Sequence, residues 1–174
     1  MEKKCFMGAV TADGFVGFFK EIVDMYGLKK LYIIKGGSGV GKSTFMRKFA
    51  ELFPLNPKML VYCSNDPKSL DGVIIEDLGI GMIDGTAPHM TDPKYPGLCE
   101  EIIDLAGFID SERLASTATI QAVKQRADEK TVAYNEAYTA LARARTAHAK
   151  LESMYTGAVD FESIDKFFDA KFRS

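Results

Sequence analysis

No stretch of the sequence approaches the roughly 18 consecutive apolar residues that a membrane-spanning helix needs, so no such helix is expected. Met1-Glu2-Lys3-Lys4 is followed by too short an apolar segment for a signal peptide. Cysteine is scarce: Cys5, Cys63 and Cys99 are odd in number and lack metal-ligand spacing. This argues against a disulfide framework or a structural zinc site and reads as reduced thiols in a cytoplasmic protein. The net charge is only −2, which provides no electrostatic footprint for nucleic acid. No N-K-x-D segment occurs, which argues against a Ras-like GTPase, and no L-S-G-G-Q segment, which argues against an ABC transporter ATPase. Adenine is therefore the expected base, by elimination.

Proline and glycine are unevenly spread. All six prolines fall between Pro54 and Pro96, and only Gly157 of the fifteen glycines lies beyond Gly107. With 174 residues and 47% hydrophobic content, the chain suits one domain with an appendage. Residues 1–107 read as short elements joined by turns, and residues 108–174 as helix with one break.

The most informative segment is Gly36-Gly37-Ser38-Gly39-Val40-Gly41-Lys42-Ser43, followed by Thr44. It matches the phosphate-binding pattern G-x-x-x-x-G-K-[ST] at every fixed position. The glycines allow the backbone to curl round phosphates with successive N–H groups pointing inward. Lys42 would place its cation at the β- and γ-phosphates, and the Ser43 hydroxyl would ligate Mg²⁺. Leu31 to Ile34 precede the loop as an apolar, strand-like run. Phe45, Met46, Phe49, Leu52 and Phe53 follow at helical spacing. Strand, glycine-rich loop and helix is the context that the motif requires. ATP and Mg²⁺ are the expected ligands.

Further strands are expected at Cys5–Val10, 59–63, 72–75 and 80–83, and a largely buried helix at Phe15–Tyr26, stopped by Gly27. Alternating strands and helices predict an α/β P-loop NTPase fold, with a mainly parallel sheet and helices on both faces. The runs at 72–75 and 80–83 are too close for a helical crossover and read as a hairpin.

From Ser111 to Tyr155 there is neither Pro nor Gly, which predicts one long helix with Ser111 as its N-cap. Tyr134, Leu141, His148 and Tyr155 recur every seven residues, with Ala137, Ala144 and Leu151 between them. That stripe suggests coiled-coil-like packing on a partner helix, and His148 on it reads as a packing residue. After Gly157, Asp160 can cap a short helix carrying Phe161, Ile164, Phe167, Phe168 and Phe172. The phenylalanines need a surface to bury them, and contact between chains or with another module is expected.

A phosphate loop usually works with a carboxylate at a neighbouring strand end. Asp77 and Asp84 are the candidates. Asp84 is preferred because the polar residue after a strand's C-terminal end faces the ligand crevice in such sheets. Lys42 and Asp84 are thus the expected catalytic pair, and Ser43 and Asp84 the metal ligands. His89 is positioned to sense a γ-phosphate, although a plain surface-loop histidine is the preferred reading. Asp66 either orients water or substrate, or caps the Asp66-Pro67 turn.

At this point the residues carry a resemblance. Phe6–Thr11, the phosphate loop, Cys63–Ile75 and Met82-Ile83-Asp84-Gly85-Thr86-Ala87-Pro88-His89 together resemble a poorly characterised family of bacterial P-loop ATPases, labelled ATPase or nucleotide-kinase-like. The resemblance covers essentially the whole chain. In that family the D-G-T-A-P-H segment closes a strand, which implies Asp84 rather than Asp77. Members typically carry two P-loop modules, and this chain resembles the first alone. The second would then be missing, supplied in trans, or removed.

Three functions remain open. The chain is a slow ATPase whose helical extension transmits nucleotide state, or a small-molecule or nucleotide kinase, or a nucleotide-regulated binding module without turnover. In a kinase, Arg113, Arg126, Arg143 or Arg145 would neutralise the transferred phosphoryl group. The sequence has no compact arginine-rich lid, so the kinase ranks below the ATPase.

Overall fold

The computed structural model describes residues 1–173. Its core is a six-stranded sheet of β1 (Glu2–Cys5), β4 (Lys30–Lys35), β5 (Lys58–Tyr62), β6 (Leu70–Ile75), β7 (Ile80–Asp84) and β8 (Glu100–Asp104). The spatial order is β1-β5-β6-β7-β4-β8. β1 pairs parallel with β5, and β4 parallel with both β7 and β8. β6 runs antiparallel to both of its neighbours, β5 and β7. The sheet is therefore mixed, with every strand except β6 pointing the same way. All six residues of β6 are buried, as expected of a strand covered on both faces.

Alternation along the strands divides the core into two layers. Leu31, Ile33, Val61, Ile74 and Ile83 face one side and pack with Phe19, Ile22 and Val23. These come from a 3-10 turn, Phe19–Glu21, and the short helix α1 (Ile22–Tyr26). Ile34, Leu60, Val73, Ile75 and Met82 face the other side and pack with Met46 and Ala50 of α2 (Lys42–Glu51). Each such side chain taken from water contributes about 1.5–3 kcal/mol, and Ile33, Ile34, Met46, Ile74 and Ile83 are wholly inaccessible.

Three expectations are corrected. Cys5–Val10 is not one strand: β1 ends at Cys5, and β2 (Gly8–Thr11) leaves the sheet. Phe15–Tyr26 is not one helix. Its first residues form β3 (Gly14–Gly17), which pairs with β2 across an Ala12-Asp13 turn. Apolar spacing alone cannot separate a hairpin strand followed by a 3-10 turn from a continuous helix. Ser111 does not cap the long helix. Asp110 caps a four-residue α3 (Ser111–Leu114), and Ser116 caps α4 (Thr117–Thr156) by accepting from the Thr119 N–H at 3.1 Å. β8, whose Glu-Glu-Ile-Ile-Asp sequence gave no strand expectation, pairs along β4.

The 40 residues of α4 span about 60 Å at 1.5 Å per residue, and none is buried. Tyr134, Tyr138 and Ala142, spaced by four, are its half-buried central positions. α4 touches β2, and Arg145 pairs with Asp13 in the hairpin turn at 2.6 Å. The side that meets the core is thus one stripe of the helix. Gly157 ends α4, and Asp160 caps α5 (Phe161–Phe172) through Ser163 N–H at 3.0 Å. No helix among the described residues is long and apolar enough to cross a membrane.

Candidate functional site

β4 ends at Lys35, the loop Gly36–Gly41 follows, and α2 starts at Lys42. Gly39 and Gly41 have φ of 83° and 91°, the left-handed region that favours glycine. Nothing lies within 4 Å of where a Cβ would stand on either, so the backbone there is open to an approaching ligand. The first turn of α2 leaves its N–H groups without helical partners and aims the positive end of the helix dipole at the loop.

Lys42 folds back over this loop. Its ammonium donates to the carbonyls of Gly36 at 2.8 Å and Gly37 at 2.9 Å, and lies 3.6 Å from Asp84 Oδ2. Both side chains are nearly enclosed, at 12% and 11% exposed. The parallel pairing of β4 with β7 sets Ile34 beside Asp84, which brings the carboxylate to the same sheet edge as the loop. Asp84 Oδ1 accepts from Thr86 N–H at 2.9 Å and Thr86 Oγ1 at 2.5 Å. Ser43 Oγ accepts from Leu70 N–H at 2.8 Å, which leaves one lone pair of the hydroxyl for a cation. The residues present therefore fit a nucleotide phosphate with Mg²⁺: bare loop amides, a lysine cation, a hydroxyl and a carboxylate.

Asp77 stands elsewhere. It lies in the turn between β6 and β7, at the opposite end of the sheet, and accepts from Asn56 Nδ2 at 2.8 Å. Asp66 caps its own turn, accepting from Ser69 Oγ at 2.7 Å and Lys68 N–H at 3.1 Å. These bonds, the one from Ser69 foremost, hold its carboxyl below the usual range. Arg113, Arg126 and Arg145 pair with Asp110, Glu129 and Asp13. Among the described residues no arginine ion-pairs with the phosphate loop. His148 is exposed and faces Glu152 at 3.4 Å, so it packs against nothing.

His89 is the largest departure from expectation, being buried rather than on the surface. The D-G-T-A-P-H loop turns back beneath the sheet edge and places the imidazole against the Phe19 ring at 4.7 Å and the Phe15 ring at 5.8 Å. Nδ1 bonds the Asp84 carbonyl at 2.9 Å, and Nε2 faces Asp71 Oδ2 at 3.2 Å. Burial opposes protonation of this ring, but the carboxylates of Asp71 and Asp84 outweigh it and leave its pKa raised. Asp71, in β6, is itself buried. Lys35 ties the same loop down, donating to Gly85 O at 2.9 Å, Thr91 O at 2.7 Å and Asp92 Oδ1 at 2.8 Å.

Sequence reasoning did not single out Asp71 or Lys35. Asp71 is the one acid inside an otherwise uncharged buried strand, L-D-G-V-I-I, and that was the available signal. Lys35 carried no signal, because its partners come from a loop about fifty residues away. A separate cavity of about 350 Å³ lies between α2 and strands β4, β7 and β8, lined by Tyr32, Phe45, Phe49, Leu52, Met82 and Ile103 with Lys48. Its walls are apolar, so the chemistry belongs to the loop edge and not to this cavity.

Compared with known proteins, the chain matches no family, no curated protein and no solved structure. The reading of this site therefore rests on its own residues and motifs.

Proposed function

We propose that the chain is a P-loop NTPase that binds ATP with Mg²⁺ at Gly36–Thr44, hydrolyses it slowly, and couples nucleotide state to the α4–α5 extension. The observation that carries this reading is the convergence of Lys42, Ser43 and Asp84 at one sheet edge, with Lys42 Nζ 3.6 Å from Asp84 Oδ2. The backbone N–H groups of Gly37, Ser38, Gly39, Val40, Gly41, Lys42, Ser43 and Thr44 bind the phosphates, entered from Gly36. Lys42 exchanges the carbonyls of Gly36 and Gly37 for the terminal phosphates. Ser43 Oγ and the Asp84 carboxylate hold Mg²⁺, which supplies charge neutralisation at the phosphate oxygens when bound. Catalysis on this scheme is positioning plus electrostatics.

Coupling is supported by a continuous set of contacts. His89 bonds the Asp84 carbonyl, and Phe15 of the β2–β3 hairpin packs on His89. The hairpin turn in turn holds α4 through Asp13 and Arg145. A shift of Asp84 on nucleotide binding would reach α4 through this hairpin. Tight association with a second P-loop module, or with a second copy through the extension, completes the proposal. Phosphate release from ATP by the purified chain tests it, with Lys42→Ala as control. The variant is expected to keep its fold and lose Mg-ATP binding in calorimetric titration. Unchanged affinity in Lys42→Ala would remove the phosphate-loop assignment. ATP binding without any phosphate release would leave a regulated binding module instead.

A further inference from the structure

The group behind the phosphate loop contains more than the proposed nucleotide site uses. One carboxylate oxygen each from Asp71 and Asp84, and a ring nitrogen of His89, all lie within 4.8 Å of one another. All three residues are buried, at 6%, 8% and 6% exposed. Three elements deliver them: β6 brings Asp71, the end of β7 brings Asp84, and the loop after it brings His89.

The hydrogen bonds define which atoms are free. The Asp84 carbonyl can only accept, so His89 Nδ1 must carry the proton of their 2.9 Å bond. When the ring is neutral, Nε2 presents a lone pair to Asp71 Oδ2 at 3.2 Å. Two acceptors in contact require a cation between them, and either a proton or a metal ion can serve. A proton would satisfy this pair alone; a metal ion would also take an oxygen of Asp84, which lies within reach of both. An Nδ1–H bond to a backbone carbonyl is also the usual outer support of an imidazole that ligates metal through Nε2.

We propose that Asp71, Asp84 and His89 form a binding site for a divalent first-row transition cation of the Mn²⁺ or Fe²⁺ kind, a second position beside that of a nucleotide's Mg²⁺, with which it would share Asp84. The mixed donor set, one imidazole with carboxylates, suits these ions; Mg²⁺ favours oxygen and water alone. Ligand bonds of about 2.0–2.2 Å hold donors no more than about 4.4 Å apart, so a set within 4.8 Å closes by a few tenths of an ångström. Asp84 retains one lone pair for this after accepting twice from Thr86 and facing Lys42. The rings of Phe15 and Phe19 provide an apolar wall. The Cys63 thiol beside the cluster is pushed up in pKa, first by burial and further by Asp71.

The experiment titrates Mn²⁺ into the full chain after chelator treatment and without nucleotide, counting free ion by its electron paramagnetic resonance signal. One tightly held Mn²⁺ per chain is expected, with nitrogen modulation from the histidine in the pulsed spectrum. Asp71→Asn and His89→Gln should each weaken binding by about tenfold or more, while Asp77→Asn, at the other end of the sheet, retains it. The site does not depend on nucleotide binding. Mn²⁺ held by a chain that fails to bind ATP would leave this site standing and remove the phosphate-loop reading. No retained Mn²⁺ without nucleotide, a bound ion with no nitrogen modulation, or binding untouched in Asp71→Asn would each overturn the proposal. If His89→Gln does not fold, the wild-type nitrogen signal and the near-isosteric Asp71→Asn decide it.

Discussion

Replacing Asp84 by Asn separates the two carboxylates considered for the magnesium shell, and its size follows from the contacts. The Asn carbonyl can keep both Thr86 donors, because these bond Oδ1 alone. The other atom becomes an NH₂ group facing the Lys42 ammonium, where a carboxylate oxygen stood 3.6 Å away. Donor then faces donor, and a nearly enclosed cation loses its counter-charge. Breaking a fully buried pair costs about 3–5 kcal/mol. Lys42 keeps the carbonyls of Gly36 and Gly37, however, and the lost contact is an ion pair at 3.6 Å, so the value of one charged hydrogen bond, about 1.5–3 kcal/mol, is the better guide and an upper one. At about 2–4 °C per kcal/mol for a domain of this size, the nucleotide-free variant should melt about 3–12 °C below wild type. ATP with chelator should recover part of the deficit, since phosphate gives Lys42 an anion again. The further rise on adding Mg²⁺ should shrink, because ligand stabilisation follows affinity. Asp77→Asn loses one exposed contact with Asn56 and should fall within about 0.5 kcal/mol of wild type. Thermal melts of the three proteins, with ATP plus chelator and with Mg-ATP, provide the comparison. A full magnesium increment in Asp84→Asn, or its loss in Asp77→Asn, would refute the assignment.

Phe161, Ile164, Phe167, Phe168 and Phe172 are 48–68% exposed on α5, so the chain should self-associate at micromolar concentration; a strictly monomeric chain in light scattering would end the interface idea, and Phe168→Glu should disperse a genuine oligomer. Arg145→Ala should leave Mg-ATP affinity near wild type but reduce any nucleotide-dependent change in a spin label placed on α4, whereas an unaltered change would mean that the Asp13–Arg145 pair is not part of the route. Phe19→Ala removes a ring that is 3% exposed and packed at a tilt on His89, so it should cost about 3–5 kcal/mol in denaturant unfolding; a loss below about 1 kcal/mol would show that this aromatic layer is not part of the core.

What could be read without the fold was what depends on neighbours in the chain. The proposed phosphate loop is eight consecutive residues, and its reading comes from backbone freedom at Gly39 and Gly41 and from the cation of Lys42, the residue after Gly41. The β6–β7 hairpin was legible because four residues between two apolar runs leave no room for a crossover. Asp160 before a Phe-rich segment announced its helix because a cap acts within three residues. The hairpin of β2 and β3 was misread because glycines and aromatics at short spacing satisfy two periodicities at once. Tertiary structure decided the rest. Asp84 was preferred to Asp77 from its place at a strand end, but its burial beside Ile34 is set by the parallel register of β4 with β7. His89 passes from surface loop to buried ring because Phe15, Phe19 and Asp71, each from a different element, close round it. Burial and charge pairing of this kind arise between distant segments, and no local pattern encodes them.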